Sequence, residues 1–173
     1  METWTAILSR RNIRAYEDRP IPDDALDQIL EAGRRSPSSM NRQRWDFIVC
    51  VDRARLQRLA TTWAGAGHVA TSAATIALVA PESPSEDSLL EDSIQYDLGQ
   101  VTMSMVLAAT DLGIGCGHAD VHDQDLAREI LGLPPDRYCA YLIALGYSGE
   151  RPLKPIRRPN RRPFDDVVHR EQW

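Results

Sequence analysis

Apolar residues along this chain fall into short blocks of two periodicities. Residues 45–51 and 73–80 are nearly continuous runs of aliphatic, β-branched and aromatic residues, and 140–145 is a third. Such runs have the length of strands buried on both faces rather than of independent helices. Elsewhere the pattern turns helical. Residues 4–9 predict a short first helix, and Leu26, Ile29, Leu30 and Gly33 share the inner face of a second, which Asp23 can cap. Residues 53–62 and 123–131 have helical character, the latter closed by Gly132 with Pro134 and Pro135 beyond it. Residues 93–112 give the clearest helix. Met, Ala, Leu and Val occupy nearly all its sides, which places it in a domain interior or at a subunit contact.

The remaining segments read as connections. Pro20 and Pro22 hold residues 16–22 extended. Residues 36–41 and 64–67 are loops by composition, and the acidic stretch up to about Asp92 reads as a solvated loop. Residues 113–117, Gly-Ile-Gly-Cys-Gly, break the long helix. They follow a helix rather than a strand and so do not match a dinucleotide-phosphate loop; three glycines in five residues imply a close backbone approach. Beyond Gly146 the chain is rich in Pro and Arg and cannot build a core of its own, yet it carries Val167, Val168 and Trp173. That ending suits a tail that wraps a partner. With no internal repeat or interdomain linker, the 173 residues predict a single domain, with 151–173 as its extended tail.

Charge changes the picture in one respect. The net charge of −5 conceals six acidic and no basic residues over 82–97, and six basic and no acidic residues over 151–162. Arg10, Arg11 and Arg14 form another basic group, and Arg34 and Arg35 a third. Nucleic acid favours a broad basic face, which this acidic chain lacks; local Arg clusters suit a compact anion such as phosphate. No apolar run approaches the roughly 20 residues of a membrane helix. The N-terminus shows no signal-peptide pattern. Cys50, Cys116 and Cys139 have no metal-type spacing. We expect them to be buried, reduced thiols of a cytoplasmic protein without a bound metal.

Four segments carry candidate chemistry: the Arg10–Arg14 group, the hydroxyl- and amide-rich loop entering the first strand, the glycine break and the Arg-rich tail. Each alone has an ordinary reading, as a solvated helix end, a capped turn, a helix terminus and a solvated charge run. In this order they resemble the nitroreductase family. Arg10-Arg11-Asn12-Ile13-Arg14 matches the family's Arg-Arg-Ser-x-Arg opening, and residues 32–45 match its Ala-Pro-Ser-Ser-x-Asn-x-Gln-Pro-Trp loop. Residues 111–115 match the Leu-Gly-x-Gly after the long helix. Residues 131–169 match the ending that runs through Leu-Gly-Leu-Pro and Leu-Gly-Tyr to Val-Val-His.

The resemblance implies an α+β fold: a three-layer sandwich with a central, mostly antiparallel sheet, flanking helices and a C-terminal strand exchanged to the partner subunit. It implies a homodimer with FMN at the subunit interface. Arg10, Arg11, Asn12 and Arg14, with Arg161 and Arg162, would hold the phosphate and ribityl end. Pro37, Ser38, Ser39 and Asn41, with Gln43 nearby, would contact the isoalloxazine from the partner subunit. The implied activity is reduction of a small nitroaromatic or quinone-like acceptor by ping-pong hydride transfer from NADH or NADPH. The cofactor supplies the chemistry, so no catalytic nucleophile is expected. The alternatives are a specialised reaction of the family (flavin destruction, dehalogenation or azoline oxidation) and flavin storage or sensing without turnover.

Departures from the family pattern are local. Asn12 stands where Ser is usual, and Arg44 replaces the Pro before Trp45. His118, Ala119 and Asp120 occupy the stretch near flavin N5 where the family has Gly-Gly or Glu-Gly. Asp120 has two readings: beside N5, where its charge would oppose an anionic reduced ring, or as a cap of the helix beginning near Asp123. His118 and His122 are candidate proton donors, each with a structural role as the competing reading, and His68 offers less. Trp63 is a candidate substrate wall. The chain is also shorter than many relatives, which predicts a more open or differently gated site.

Overall fold

In a computed structural model of the chain, residues 1–82 and 88–173 are described, with the backbone alone over 88–92. The elements are α1 (Thr3–Ser9), α2 (Asp23–Arg34), β1 (Asp46–Cys50), α3 (Arg53–Leu59), β2 (Ala74–Pro81), α4 (Ser88–Asp111), β3 (Gly115–Asp120), α5 (Gln124–Leu131) and β4 (Arg137–Gly146). Short 3₁₀ turns occupy Ser39–Asn41, Ala64–Thr71 and Phe164–Asp166. The four strands form one sheet in the order β1-β2-β4-β3, with every pair antiparallel.

Alternation along β2 explains why the sequence shows a continuous apolar run there. Ala74, Ile76, Leu78 and Ala80 face one core, shared with Leu26 and Ile29 of α2 and Ile94, Leu98, Val101 and Met105 of α4. Ala77 and Val79 face a second core, with Leu56 and Leu59 of α3, Val69, and Ala127 and Ile130 of α5. Helices therefore cover both faces of the sheet, and a central strand has no solvent side to keep polar. The result is the expected three-layer α+β sandwich.

The structure corrects several sequence expectations. β4 starts three residues earlier than the apolar run because Arg137, Tyr138 and Cys139 pair with Pro81, Ala80 and Val79 beyond a register shift that leaves Ala140 as the extra residue. α4 begins at Ser88, so the expected acidic loop reaching Asp92 is partly helix; its residues 83–87 lie outside the described residues. Pro22, not Asp23, occupies the N-cap of α2. At α5 the cap is Asp123, whose carboxylate accepts from the Leu126 N–H at 2.9 Å. The glycine segment expected only as a break in fact opens β3.

β3 is glycine-rich because the chain between α1 and α2 crosses it. Ile13 N donates to Cys116 O at 2.8 Å, and Asn12 and Cys116 form an isolated parallel bridge. A Cβ on Gly117 would lie 2.4 Å from Ile13 O, and one on Gly115 would lie 2.6 Å from the Ile13 side chain. The close approach inferred from the glycine spacing is this crossing. Tyr16 completes it: its hydroxyl donates to Ile13 O at 2.8 Å, and burial pushes its pKa up.

All three cysteines are free and buried. Burial pushes Cys116 and Cys139 up to about 12, so both stay thiols at neutral pH. No helix among the described residues is long and apolar enough to cross a membrane. Residues 151–173 contain no strand of this sheet. Val167, Val168 and Trp173 are exposed, and along α4 so are Tyr96 (72%) and Met103 (44%).

Gly117→Ala forces a methyl group against a backbone carbonyl that cannot turn aside. We expect a loss of about 1–3 kcal/mol in unfolding free energy, read as a lower urea midpoint with an unchanged slope. At Gly67, where an added Cβ meets nothing within 4 Å, the same change gives no steric loss.

Candidate active site

The crossing strand fixes the first group of functional side chains. Residues 10–14 leave α1 and lie along β3 on one side, and on the other Glu150 Oε1 accepts from Arg14 N at 2.9 Å and Ala15 N at 3.2 Å. Those two N–H donors, with Arg151 and Arg14 nearby, hold the Glu150 carboxyl below the usual range. Arg11 is committed locally, donating to the carbonyls of Lys154 and Ser9. Arg10 and Arg14 differ: among the described residues no acceptor pairs with either guanidinium.

Two histidines sit behind these cations. Burial, first, and then Arg10, Arg14 and His68 push the His118 pKa down. His68 is pushed down by burial and Arg14, against backbone hydrogen bonds with Gly117 and Gly65. Among the described residues neither buried Nε2 atom has a hydrogen-bond partner. Neutral imidazoles beside uncommitted guanidiniums leave a net positive pocket, which suits an anion. Nothing local to His68 marks its nearness to β3, which is a property of the fold.

Arg10, His118 and Asp120 line one groove of about 290 Å³ with Gln95, Tyr141 and an apolar face of α4: Leu98, Thr102, Met103 and Val106. Gly99 lies in its floor, where an added Cβ would meet nothing within 4 Å. Ala119 packs its side chain into the core beside Leu142, leaving only its backbone for a ligand. Asp120 is exposed at the end of β3. Since Asp123 caps α5, the capping reading of Asp120 is overturned.

The second group lies on another face of α4. Ser39 N donates to both carboxylate oxygens of Asp97, at 3.1 and 3.2 Å, and Gln43 N donates to Ser38 Oγ at 2.9 Å. Ser36 Oγ bonds Ser104 Oγ at 2.8 Å. Pro37, Ser38 and Ser39 line a depression with Tyr96, Asp97 and Gln100. Met40, Asn41 and Gln43 all have positive φ, so the loop presents Asn41 and Gln43 in a costly backbone shape. At about 100° per residue, the α4 residues under the loop and those under the groove lie roughly 140° apart. One chain thus brings Arg10, Asn12 and Arg14 near His118 and Asp120, and separately gathers Pro37, Ser38, Ser39, Asn41 and Gln43.

The other candidates fall outside both groups. Arg161 and Arg162 are exposed and bond carbonyls of their own tail, those of Asn160 and Asp166. His122 packs on Trp63, with ring centroids 5.3 Å apart, and neither residue lines the groove. No group of three or more His, Cys, Asp or Glu among the described residues could hold a metal ion.

The two histidines make the free protein acid-sensitive. Their folded pKa values are depressed, so the unfolded chain takes up these protons first. The stability they protect is complete above the unfolded histidine value of about 6.5 and is lost as pH falls through the folded values. Urea midpoints should fall below that pH, and His118→Gln or His68→Gln should flatten the decline. Inorganic phosphate should oppose it in the parent protein. A decline of equal size in both variants would remove the histidines from the cause.

Comparison with known proteins identifies the family. The model of the nitroreductase family matches residues 7–87 and 60–147. A protein of Archaeoglobus fulgidus with the provisional name NADH dehydrogenase/NAD(P)H nitroreductase is 32% identical over 176 residues, covering 99% of each chain. The FMN reductase [NAD(P)H] of Bacillus subtilis is 25% identical over 99% of this chain and 74% of its own. The solved FMN-dependent nitroreductase of Clostridium difficile superposes with a TM-score of 0.81 at 25% identity, over 97% of this chain and 99% of that one. The chain belongs to the nitroreductase family.

Proposed function

We propose that the protein is an FMN-dependent NAD(P)H oxidoreductase whose site is completed by a second copy of the chain. The observation that carries this reading is the division of the candidate residues between two faces of α4. Beside one face lie the uncommitted Arg10 and His118, with Arg14 near that histidine, and the other carries a polar loop held in a strained shape. Neither half encloses a ligand. An antiparallel pair of copies that set the loop of one on the groove of the other would, by two-fold symmetry, make that contact twice and form two equivalent sites. The exposed Tyr96 and Met103 on α4, and the apolar tail ending, give such a pair surface to bury.

The residues fit FMN. Arg10 and Arg14 are free to neutralise a phosphate dianion, which otherwise has no counter-charge in the pocket. The partner's loop would supply amide and hydroxyl groups to the polar edge of a heteroaromatic ring. Arg161 and Arg162, carried on the tail, would reach the phosphate as the tail settles on the dimer. When bound, the flavin accepts hydride from NADH or NADPH and passes reducing equivalents to a small acceptor in the same pocket. The chain's own residues bind and orient; Gln95, Tyr141 and His118 line the groove in which a nitroaromatic or quinone-like acceptor would lie against the apolar face of α4. Names of relatives, including an FMN reductase and an NAD(P)H nitroreductase, support the same assignment.

Asp120 favours a second reading, storage or sensing without turnover. An exposed carboxylate on the groove rim opposes negative charge accumulating on a reduced ring. The two are separated by one experiment. Purified protein should show flavin absorbance, and anaerobic NADH or NADPH should bleach it; retained colour with no bleaching by either donor selects storage.

Removing one charge-assisted contact costs roughly 1.5–3 kcal/mol, so Arg14→Ala should raise the FMN dissociation constant about tenfold or more. Arg161→Ala should do the same if the tail arrives as proposed. Arg157→Ala is the control and should bind FMN as the parent does. Unchanged affinity in the Arg14 and Arg161 variants overturns the phosphate assignment.

A further inference from the structure

Asp97 is a buried carboxylate with an unusual balance of partners. It is 1% exposed, lies within α4, and has no ion-pair partner among the described residues. An ionised carboxyl out of water normally keeps a counter-ion or several donors. Among the described residues the one donor is Ser39 N, shared between both oxygens at 3.1 and 3.2 Å.

What the carboxylate holds explains its retention. Ser39 begins the 3₁₀ turn, and Met40 (φ 53°), Asn41 (φ 55°) and Gln43 (φ 50°) follow in left-handed backbone. Non-glycine residues rarely adopt that region, and three within four positions persist only where the surroundings fix them. Other fastenings flank the turn: Ser36 Oγ to Ser104 Oγ at 2.8 Å before it, and Arg44 Nη2 to Ser93 Oγ at 2.9 Å after it. Inside it, the Ser38 hydroxyl accepts from Gln43 N. Among these bonds only that of Asp97 ties the turn itself to α4.

We propose that Asp97 is a positioning residue. It keeps the loop bearing Ser38, Ser39, Asn41 and Gln43 in its strained shape before a ligand arrives, so that binding does not have to order it. The inference rests on the flavin reading only for the ligand's identity; the anchoring is a property of the free chain. In this role Asp97 acts through the Ser39 amide.

Two variants separate the bond from the charge. Asp97→Asn keeps an oxygen acceptor for Ser39 N, whereas Asp97→Ala removes it. Arg42 is exposed within the loop and offers trypsin a cleavage site. In flavin-free protein, cleavage after Arg42 should speed at least tenfold in Asp97→Ala and stay within about threefold of the parent in Asp97→Asn. FMN affinity should follow the same order, about tenfold weaker in Asp97→Ala. If the proteolysis result holds and no variant or parent binds FMN, the flavin reading fails and the anchor stands. A folded Asp97→Ala protein with parental cleavage and parental FMN affinity overturns the anchor. Should Asp97→Ala not fold, amide exchange in the parent decides: a protected Ser39 amide supports the bond, and exchange at an open-loop rate overturns it.

Discussion

The backbone of Ile13 lies against β3 only because residues 115 and 117 carry no side chains. From that contact much of the candidate site follows. It sets the path of residues 10–14, and so places Arg10 in the lining of the groove and both Arg10 and Arg14 near His118. Tyr16 is drawn under the crossing, where its hydroxyl bonds both Ile13 O and Ala144 O. Gly117 also leaves room for the ring of His68. A single added methyl at position 117 would press on a carbonyl, an imidazole and a phenol hydroxyl together. Glycine in a strand interior ordinarily weakens it; here the loss is offset by a second segment paired onto its face.

The other organising element is α4. It is the common wall of the large core, the groove and the serine loop, and its faces keep the two halves of the site apart. Each group also holds buried polar atoms with few partners. Among the described residues, His68 and His118 keep unpartnered Nε2 atoms on one side, and Asp97 has a single backbone donor on the other. Groups of this kind are costly in a finished interior, and all three lie beside residues expected to contact a ligand.

Much of this was legible in the sequence. Continuous apolar runs marked β1, β2 and most of β4 because a sheet covered on both faces leaves no alternation to read. The match of four ordered motifs pointed to the family and the α+β sandwich. The extent of β4 was not legible, since a bulge has no compositional mark at Ala140. Nor was β3, whose glycines signal a turn until the segment crossing them is known. Asp120 resembled a cap by proximity to Asp123, yet capping is decided by which carboxylate reaches the Leu126 amide. Asp97 and Glu150 were not legible, and the place of His68 only weakly so, for a shared reason. Each acts on a segment distant in sequence, His68 on β3, Asp97 on the serine loop and Glu150 on the backbone of Arg14 and Ala15, and nothing local to any of them records that partner.

The central claim is that one chain holds two unlike halves and that two chains make each site. Co-expression of two differently tagged copies addresses it directly, one carrying Arg14→Ala and the other Ser38→Leu. In each homodimer every site has one damaged half. In the doubly tagged mixed species one site collects both lesions and the other collects none. The account predicts that each homodimer is purified nearly free of FMN and that the mixed species carries about half the parental flavin. A mixed species as empty as the two homodimers, or parental flavin on a monomer, would contradict it.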